Sequence, residues 1–167
     1  MLLQLKPLFL GETDQLPIDT VLDLSDVEWS GSHPFLQPVP VKGQVLYAAG
    51  VVTLQAVATP VLQGNCDRCM SPVERAYDQP IEHVLVASLD NPDTDDDLIL
   101  LENYQLPLDE LVKDDLILNM PSKTLCHPNC KGLCPHCGKD LNQGLCGCST
   151  KTTDPRLEAL KNWMKQE

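Results

Sequence analysis

Short apolar runs, rich in Val, Leu and Thr, fill the chain between Val39 and Leu89. Glycine or proline interrupts these runs at Gly43, Gly50, Pro60, Gly64 and Pro72. Such residues end strands and mark turns. The pattern therefore predicts short antiparallel strands joined by turns, and a β-rich core.

A helical pattern follows from residue 108. Apolar residues recur at mostly three- and four-residue intervals, with charged residues between them, at Leu108, Leu111, Val112, Leu116 and Met120. This is the period of one helix face, and most such faces are buried in the protein's own core. We predict an amphipathic helix over about residues 108–120, ended by Pro121, that covers the sheet. The predicted fold class is α+β.

The C-terminal part is predicted to contain a zinc-ribbon-like cysteine cluster and one more short helix, over about residues 155–165. Asp154 is an acceptable N-cap for this helix, and Pro155 suits its first position. We predict two parts of the chain: a β-rich core domain over residues 1–122 and a cysteine-rich tail over residues 123–167. The acidic run Asn91–Asp97 between the strands and the first helix predicts an exposed loop, because it combines a proline and turn formers with four repelling carboxylates. A metal site made of these aspartates is the less favoured alternative, since the run lacks the spacing and glycine of a calcium loop.

Charge is divided unevenly between these two parts. The formal net charge is -12, which argues against a protein that coats nucleic acid nonspecifically. Residues 1–122 hold five Lys/Arg against twenty Asp/Glu, whereas residues 123–167 hold seven against four. Only the tail is therefore expected to meet RNA. Its candidate contacts are Lys131, Lys139, Lys151, Arg156, Lys161 and Lys165.

The chain is expected to be a cytoplasmic protein. Its apolar stretches are shorter than the roughly 20 residues that cross a bilayer, and its first residues lack the features of an export signal. Cytosolic thiols are kept reduced, so disulfides are uncommon there and metal binding becomes the leading explanation for the eight cysteines.

The cysteines occur as four closely spaced pairs. The pairs are Cys66 and Cys69, Cys126 and Cys130, Cys134 and Cys137, and Cys146 and Cys148. Two thiolates from one tight turn can reach the same ion, and a second pair completes four sulfurs at about 2.3 Å from zinc. The spacings therefore predict structural Zn²⁺ sites.

Two arrangements of these cysteines remain open. In the favoured one, Cys134 and Cys137 share an ion with Cys146 and Cys148, and Cys66 and Cys69 share a second ion with Cys126 and Cys130. This scheme divides eight thiols completely into two four-thiolate sets. In the alternative, a single C-terminal site uses Cys130, Cys134, Cys137 and one of Cys146 or Cys148. Cys66 and Cys69 would then be a free dithiol.

Catalysis is not expected. Four thiolates leave no open position on zinc for water, and His127 and His136 are expected to face solvent beside the cysteines. A dithiol redox protein is the less favoured chemistry, since Cys66 and Cys69 lie among strands with an acidic residue between them. The cysteine spacings match neither common ferredoxin pattern.

Four segments together resemble one known family. They are Gly64–Cys69, Leu108–Pro121, Cys130–Asn142 and Asp154–Leu157. In this order the chain resembles the YceD family, the large ribosomal RNA subunit accumulation proteins. The resemblance implies a bacterial protein, with plastid relatives, that supports accumulation of 23S rRNA and of the large ribosomal subunit. It implies no catalytic residues.

The leading hypothesis is accordingly a noncatalytic, zinc-stabilised factor for large-subunit biogenesis. Its expected partner is 23S rRNA or a large-subunit precursor, reached either directly or through a basic ribosomal protein or processing factor. No small-molecule substrate and no membrane partner are expected. The alternative is a zinc-stapled adaptor between proteins that does not contact RNA.

Overall fold

The computed structural model describes residues 1–88 and 98–148. Nine strands and two helices occur in these ranges. In chain order they are β1 (Leu2–Gln4), α1 (Lys6–Phe9), β2 (Gln15–Leu22), β3 (Val39–Ala48), β4 (Val51–Ala58), β5 (Val61–Asn65), β6 (Pro72–Ala76), β7 (Gln79–Val86), β8 (Leu98–Leu100), β9 (Gln105–Pro107) and α2 (Leu108–Leu118). A 3-10 turn at Leu141–Gln143 follows. The fold is α+β, rich in strands, as the sequence predicts.

The largest sheet has five strands in the order β2-β3-β4-β7-β8. Strand β4 shows why these residues form a half-buried sheet, because alternate positions Val52, Leu54, Ala56 and Ala58 are buried. Neighbouring strands are antiparallel except β7 and β8, which are parallel. The predicted antiparallel strands over residues 39–89 are thus present, and the parallel edge strand lies beyond them.

Helix α2 packs its apolar side into the core. Leu108, Val112 and Leu116 are fully buried among residues of the sheet and of α1. On the same helix, Asp115 Oδ2 lies 2.8 Å from Nε2 of His83 on β7. The helix occupies most of the predicted range 108–120, and these contacts hold it beside the sheet.

The N-terminus is tied to the start of α2. Strand β1 pairs antiparallel with β9, with Leu2 opposite Pro107. The amide of Leu108 donates to the carbonyl oxygen of Met1 at 3.1 Å, and the terminal ammonium pairs with the Asp109 carboxylate. This pairing fixes the point from which the chain continues through α2 toward the tail.

Strands β5 and β6 form a separate antiparallel hairpin. Its register runs from Val61 opposite Ala76 to Asn65 opposite Pro72. The hairpin tip lies over residues 66–71, and it carries the first pair of cysteines. The short β5–β6 ladder therefore holds the tip in place. The hairpin follows β4 of the main sheet directly along the chain.

The acidic run at 91–97 and the helix predicted over 155–165 lie outside the described residues. None of the helices within 1–88 and 98–148 is long and apolar enough to cross a membrane.

Candidate metal centres

Four cysteines from two distant parts of the chain meet at the hairpin tip. The Sγ atoms of Cys66, Cys69, Cys126 and Cys130 all lie within 4.8 Å of one another. Cys66 Sγ is 3.7 Å from Cys130 Sγ, and Cys69 Sγ is 3.5 Å from Cys126 Sγ. We call this group the first cluster. Its members are the set that the favoured pairing scheme brings together.

The hairpin tip is shaped so that both of its sulfurs point to the same place. The amide of Met70 donates to the carbonyl of Cys66 at 2.9 Å, and Met70 has a positive φ of 60°. The amide of Cys66 donates to the carbonyl of Ser71 at 2.8 Å, which closes the turn. The Ser71 hydroxyl lies 3.0 Å from Cys69 Sγ.

The two residues between Cys66 and Cys69 hold the tail against this turn. Asp67 exchanges two hydrogen bonds with Thr124, one through its amide at 2.8 Å and one through its carboxylate at 2.7 Å. The Arg68 guanidinium donates to the carbonyl of Cys130 at 2.7 Å, and the Arg68 carbonyl accepts from the amide of Leu133 at 2.9 Å. Asp67 and Arg68 thereby bring the second cysteine pair to the first.

The other four cysteines form the second cluster, which is local in sequence. The Sγ atoms of Cys134, Cys137, Cys146 and Cys148 also lie within 4.8 Å of one another. The turn after Cys134 is closed by the amide of Gly138, which donates to the Cys134 carbonyl at 2.9 Å. Cys134 is buried, whereas the other three are partly or fully exposed.

The sequence does not identify Asn142 as a site residue. Its amide nitrogen Nδ2 donates to Cys130 Sγ at 3.3 Å, and its Oδ1 accepts from the amide of Lys131 at 2.8 Å. Its backbone amide is capped by Asp140 Oδ1 at 2.9 Å. No spacing rule could reveal this role, because Asn142 lies between cysteines of the second cluster and contacts the first.

The thiols of the first cluster differ in their readiness to ionise. Burial raises the pKa of the Cys66 thiol, but three backbone N–H groups and the side chain of Cys69 together outweigh this effect and lower the pKa to about 6. The N–H groups belong to Cys126, Arg68 and Cys69. Desolvation, followed by the neighbouring sulfurs, raises the pKa of Cys126 to about 12.

The second cluster repeats this arrangement. N–H groups of Cys137 and His136 lower the pKa of Cys134 to about 6. The sulfur of Cys137, together with burial, raises the pKa of Cys148 to about 12. Each cluster therefore has one thiol that ionises readily and one that holds its proton, and a divalent cation would take the place of the protons that are held.

The donor set fits a tetrahedral ion. Four sulfurs about 2.3 Å from a zinc ion lie about 3.8 Å apart, close to the 3.7 Å and 3.5 Å in the first cluster. Four thiolates are soft ligands of the kind that structural zinc prefers. His127 and His136 are exposed and belong to neither cluster. The structure thus contains two four-cysteine groups that could each hold a metal ion.

Two of the six candidate RNA contacts lie within the described residues. Lys131 and Lys139 are both exposed, and the Lys139 ammonium donates to the carbonyl of Leu145 at 3.3 Å. Lys151, Arg156, Lys161 and Lys165 lie outside the described residues.

The division of the chain at residues 122 and 123 stays a prediction, and the first cluster draws cysteines from both sides of it.

A cleft lined by two further cations lies between the β5–β6 hairpin and the segment after α2. One cavity of about 270 Å³ is lined by Leu62, Tyr77 and Leu125 as well as by Arg75 and Lys123. A second cavity, of about 370 Å³, shares both cations, is lined also by Glu74, and extends to Cys126 and His127. Neither Arg75 nor Lys123 forms an ion pair within residues 1–88 and 98–148. We call this feature the basic cleft.

Comparison with known proteins places the chain in a family. The sequence profile described as "Large ribosomal RNA subunit accumulation protein YceD" matches residues 54–163, more than half of the chain. An uncharacterized protein of Mycobacterium tuberculosis (strain ATCC 25618 / H37Rv) is 30% identical over 95 residues, as is one of Mycobacterium bovis. The match covers 55% of this chain and 45% of each relative, so the chain spans about half the length of these mycobacterial proteins.

A relative of more similar extent occurs in Bacillus subtilis (strain 168). The uncharacterized protein YlbN is 24% identical over 133 residues, which are 79% of this chain and 77% of YlbN. No solved structure matches the chain. The profile match covers all eight cysteines of the two clusters as well as helix α2, and by it this chain belongs to the YceD family of large ribosomal RNA subunit accumulation proteins.

Proposed function

We propose that this chain is a noncatalytic cytoplasmic factor that supports accumulation of 23S rRNA and biogenesis of the large ribosomal subunit. The observation that carries the proposal is the family match, because the family's description names accumulation of the large ribosomal RNA subunit and no reaction. The four-thiolate sets agree with it, since such sets leave no position open on a bound ion for a reacting water.

The proposed cofactor is Zn²⁺, with one structural ion in each cluster. The first ion would be held by Cys66, Cys69, Cys126 and Cys130, and the second by Cys134, Cys137, Cys146 and Cys148. The first ion would fasten the tail to the hairpin tip, where Asp67 and Arg68 already hold it. Zinc would thus stabilise the surface that meets the partner, without taking part in a reaction.

The proposed RNA contacts are Lys131 and Lys139 together with the basic cleft. Single-stranded nucleic acid is bound by cations that follow the phosphates and by apolar or aromatic surfaces that meet the bases. Arg75 and Lys123 supply the cations in the cleft, and Tyr77 and Leu125 supply an apolar lining.

The acidic body, with twenty Asp/Glu in residues 1–122, would face a basic ribosomal protein or processing factor.

A protein adaptor that does not contact RNA is the second candidate function. The net charge of -12 favours it, since a strongly acidic surface attracts basic proteins and repels RNA. Binding to a labelled fragment of 23S rRNA separates the two candidates. The double variants Arg75→Glu with Lys123→Glu, and Lys131→Glu with Lys139→Glu, test the two proposed contact surfaces.

The matched control is Lys6→Glu with Lys42→Glu, which makes the same change in charge at exposed positions elsewhere. We expect the two test variants to weaken RNA binding at least tenfold and the control to have a much smaller effect. Equal losses of RNA binding in the two test variants and the control would indicate that binding depends only on the general charge of the protein. No binding by the wild type would favour the adaptor.

The cellular role is tested separately from RNA contact. Deleting this protein from its bacterium should lower 23S rRNA relative to small-subunit rRNA, and the wild-type gene should restore the ratio. An unchanged ratio would overturn the proposed function, whatever the protein binds in vitro.

A further inference from the structure

The side chain of Asn142 joins the two cysteine clusters. Asn142 belongs to the loop between Cys137 and Cys146, whose ends are both in the second cluster. Its side chain nevertheless leaves that loop and contacts Cys130 and Lys131 in the first cluster and its adjoining segment. A single amide therefore lies between two groups of metal-ligand type.

The hydrogen bonds fix which way this amide faces. Oδ1 accepts from the backbone N–H of Lys131 at 2.8 Å, and an N–H can bond only to the oxygen of the amide. Nδ2 is thereby turned to Cys130 Sγ at 3.3 Å and to Asp140 Oδ1 at 2.8 Å. Both hydrogens of the Asn142 amide can then point at acceptors that are anionic in the metal-bound state.

The position of Asn142 depends on the loop that carries it. Asp140 caps the 3-10 turn, and the amide of Leu141 donates to the carbonyl of Gly132 at 2.9 Å. Leu133 and Asp140 also form an isolated bridge. An ion in the second cluster would close both ends of this loop and remove most of its conformational freedom, so the entropy of ordering Asn142 would already have been lost.

We infer that Asn142 couples the two metal sites, so that filling the second cluster raises the affinity of the first for its ion. The inference rests on the proposed zinc sites. A hydrogen bond donated to a ligand orients the ligand and stabilises its charge, and loss of such a partner typically lowers metal affinity about 10–100-fold. Because binding free energies are linked, an ion in the first cluster raises the affinity of the second by the same factor.

The test is a zinc titration of the reduced, metal-free full chain, followed by native mass spectrometry. The wild type should pass from no ion to two with little of the one-ion species. Asn142→Ala should accumulate the one-ion species. Asn142→Asp keeps an acceptor for the Lys131 amide but places an anion beside Cys130 Sγ, and it should lower the affinity of the first cluster further.

Gln143→Ala is the matched control. Gln143 lies on the same 3-10 turn, and its side chain donates to Asp140 Oδ2 at 3.3 Å and forms no hydrogen bond with a cysteine of either cluster. This variant should titrate like the wild type. Amide exchange of the five-stranded sheet, measured on each protein, verifies that the variants fold.

A double-mutant cycle isolates the coupling itself. Cys146→Ser with Cys148→Ser removes the second site and should lower the affinity of the first about 10–100-fold when Asn142 is present. The same removal in an Asn142→Ala background should have little further effect. Equal losses in both backgrounds, with two ions bound by the wild type, overturn the coupling and leave the zinc sites in place. A wild type that binds no zinc overturns both.

Discussion

Gly132 is the residue at which the tail passes directly over the hairpin tip. It has a positive φ of 76°, and a Cβ added there would lie 2.9 Å from the carbonyl oxygen of Arg68 and 3.3 Å from its Cβ. Gly138 has a similar φ of 72°, but no atom lies within 4 Å of its added Cβ. A side chain at Gly138 would therefore introduce backbone strain alone, whereas one at Gly132 would introduce backbone strain and a steric clash.

The pair supplies a prediction at the residue scale. Gly138→Ala should destabilise the protein by about 1–2 kcal/mol, because alanine resists the left-handed conformation. Gly132→Ala should carry that strain and, in addition, push the tail from Arg68 and loosen the first cluster, at a further cost of roughly 1–3 kcal/mol. Urea unfolding of the zinc-loaded proteins measures both, and equal losses would show that the close approach has no energetic weight.

At the scale of elements, helix α2 contributes to the described core through the side that it buries against the sheet. Leu116 is fully buried, whereas Leu118, two residues later on the same helix, is 81% exposed. Leu116→Ala should lower the free energy of unfolding by about 2–5 kcal/mol, because it removes buried methyl groups and leaves a cavity. Leu118→Ala should change it by no more than about 0.5 kcal/mol. Similar losses in urea unfolding would contradict the observed orientation of the helix.

The sequence predicts the elements whose signals are local. Alternation such as that of Val52 and Leu54 in β4 gives strands, and the spacing of Leu108, Val112 and Leu116 gives the helix. The pairing of β1 with β9 and the parallel edge strand β8 have no comparable signal, because they depend on contacts between distant segments. The candidate site shows the same difference between local and distant signals. The cysteine spacing indicated the two four-cysteine groups, whereas no local sequence signal indicated the contact of Asn142 with the first cluster.

For the whole molecule, the structure predicts that loss of the proposed zinc ions would unfold one part of the chain and leave another part folded. The β5–β6 tip and the segment over residues 123–148 contain little apolar core besides the cysteines and their neighbours. The five-stranded sheet and α2 share a separate, extensive core that includes no cysteine. Small metal-held segments commonly unfold without their ion, whereas large apolar cores do not depend on it.

Hydrogen exchange with and without a chelator tests this prediction. Amides such as those of Cys134, Gly138 and Leu141 should lose protection when metal is removed, while the β3–β4 ladder should keep it. The control is the same chelator with a protein whose eight cysteines are replaced by serine, in which no protection should change in the sheet. Loss of protection throughout the wild-type chain would show that the sheet itself requires the metal.

The two clusters differ in how much of the chain separates their first cysteines from their last. The second needs only one short stretch, but Cys69 must wait for Cys126, which lies 57 residues further on. At elongation rates of about 5–20 residues per second, this delay lasts roughly 3–11 s. During that time the nascent chain carries an unpartnered pair of thiols at Cys66 and Cys69. Each new copy of the protein would therefore depend on reducing surroundings before the proposed first zinc site can form.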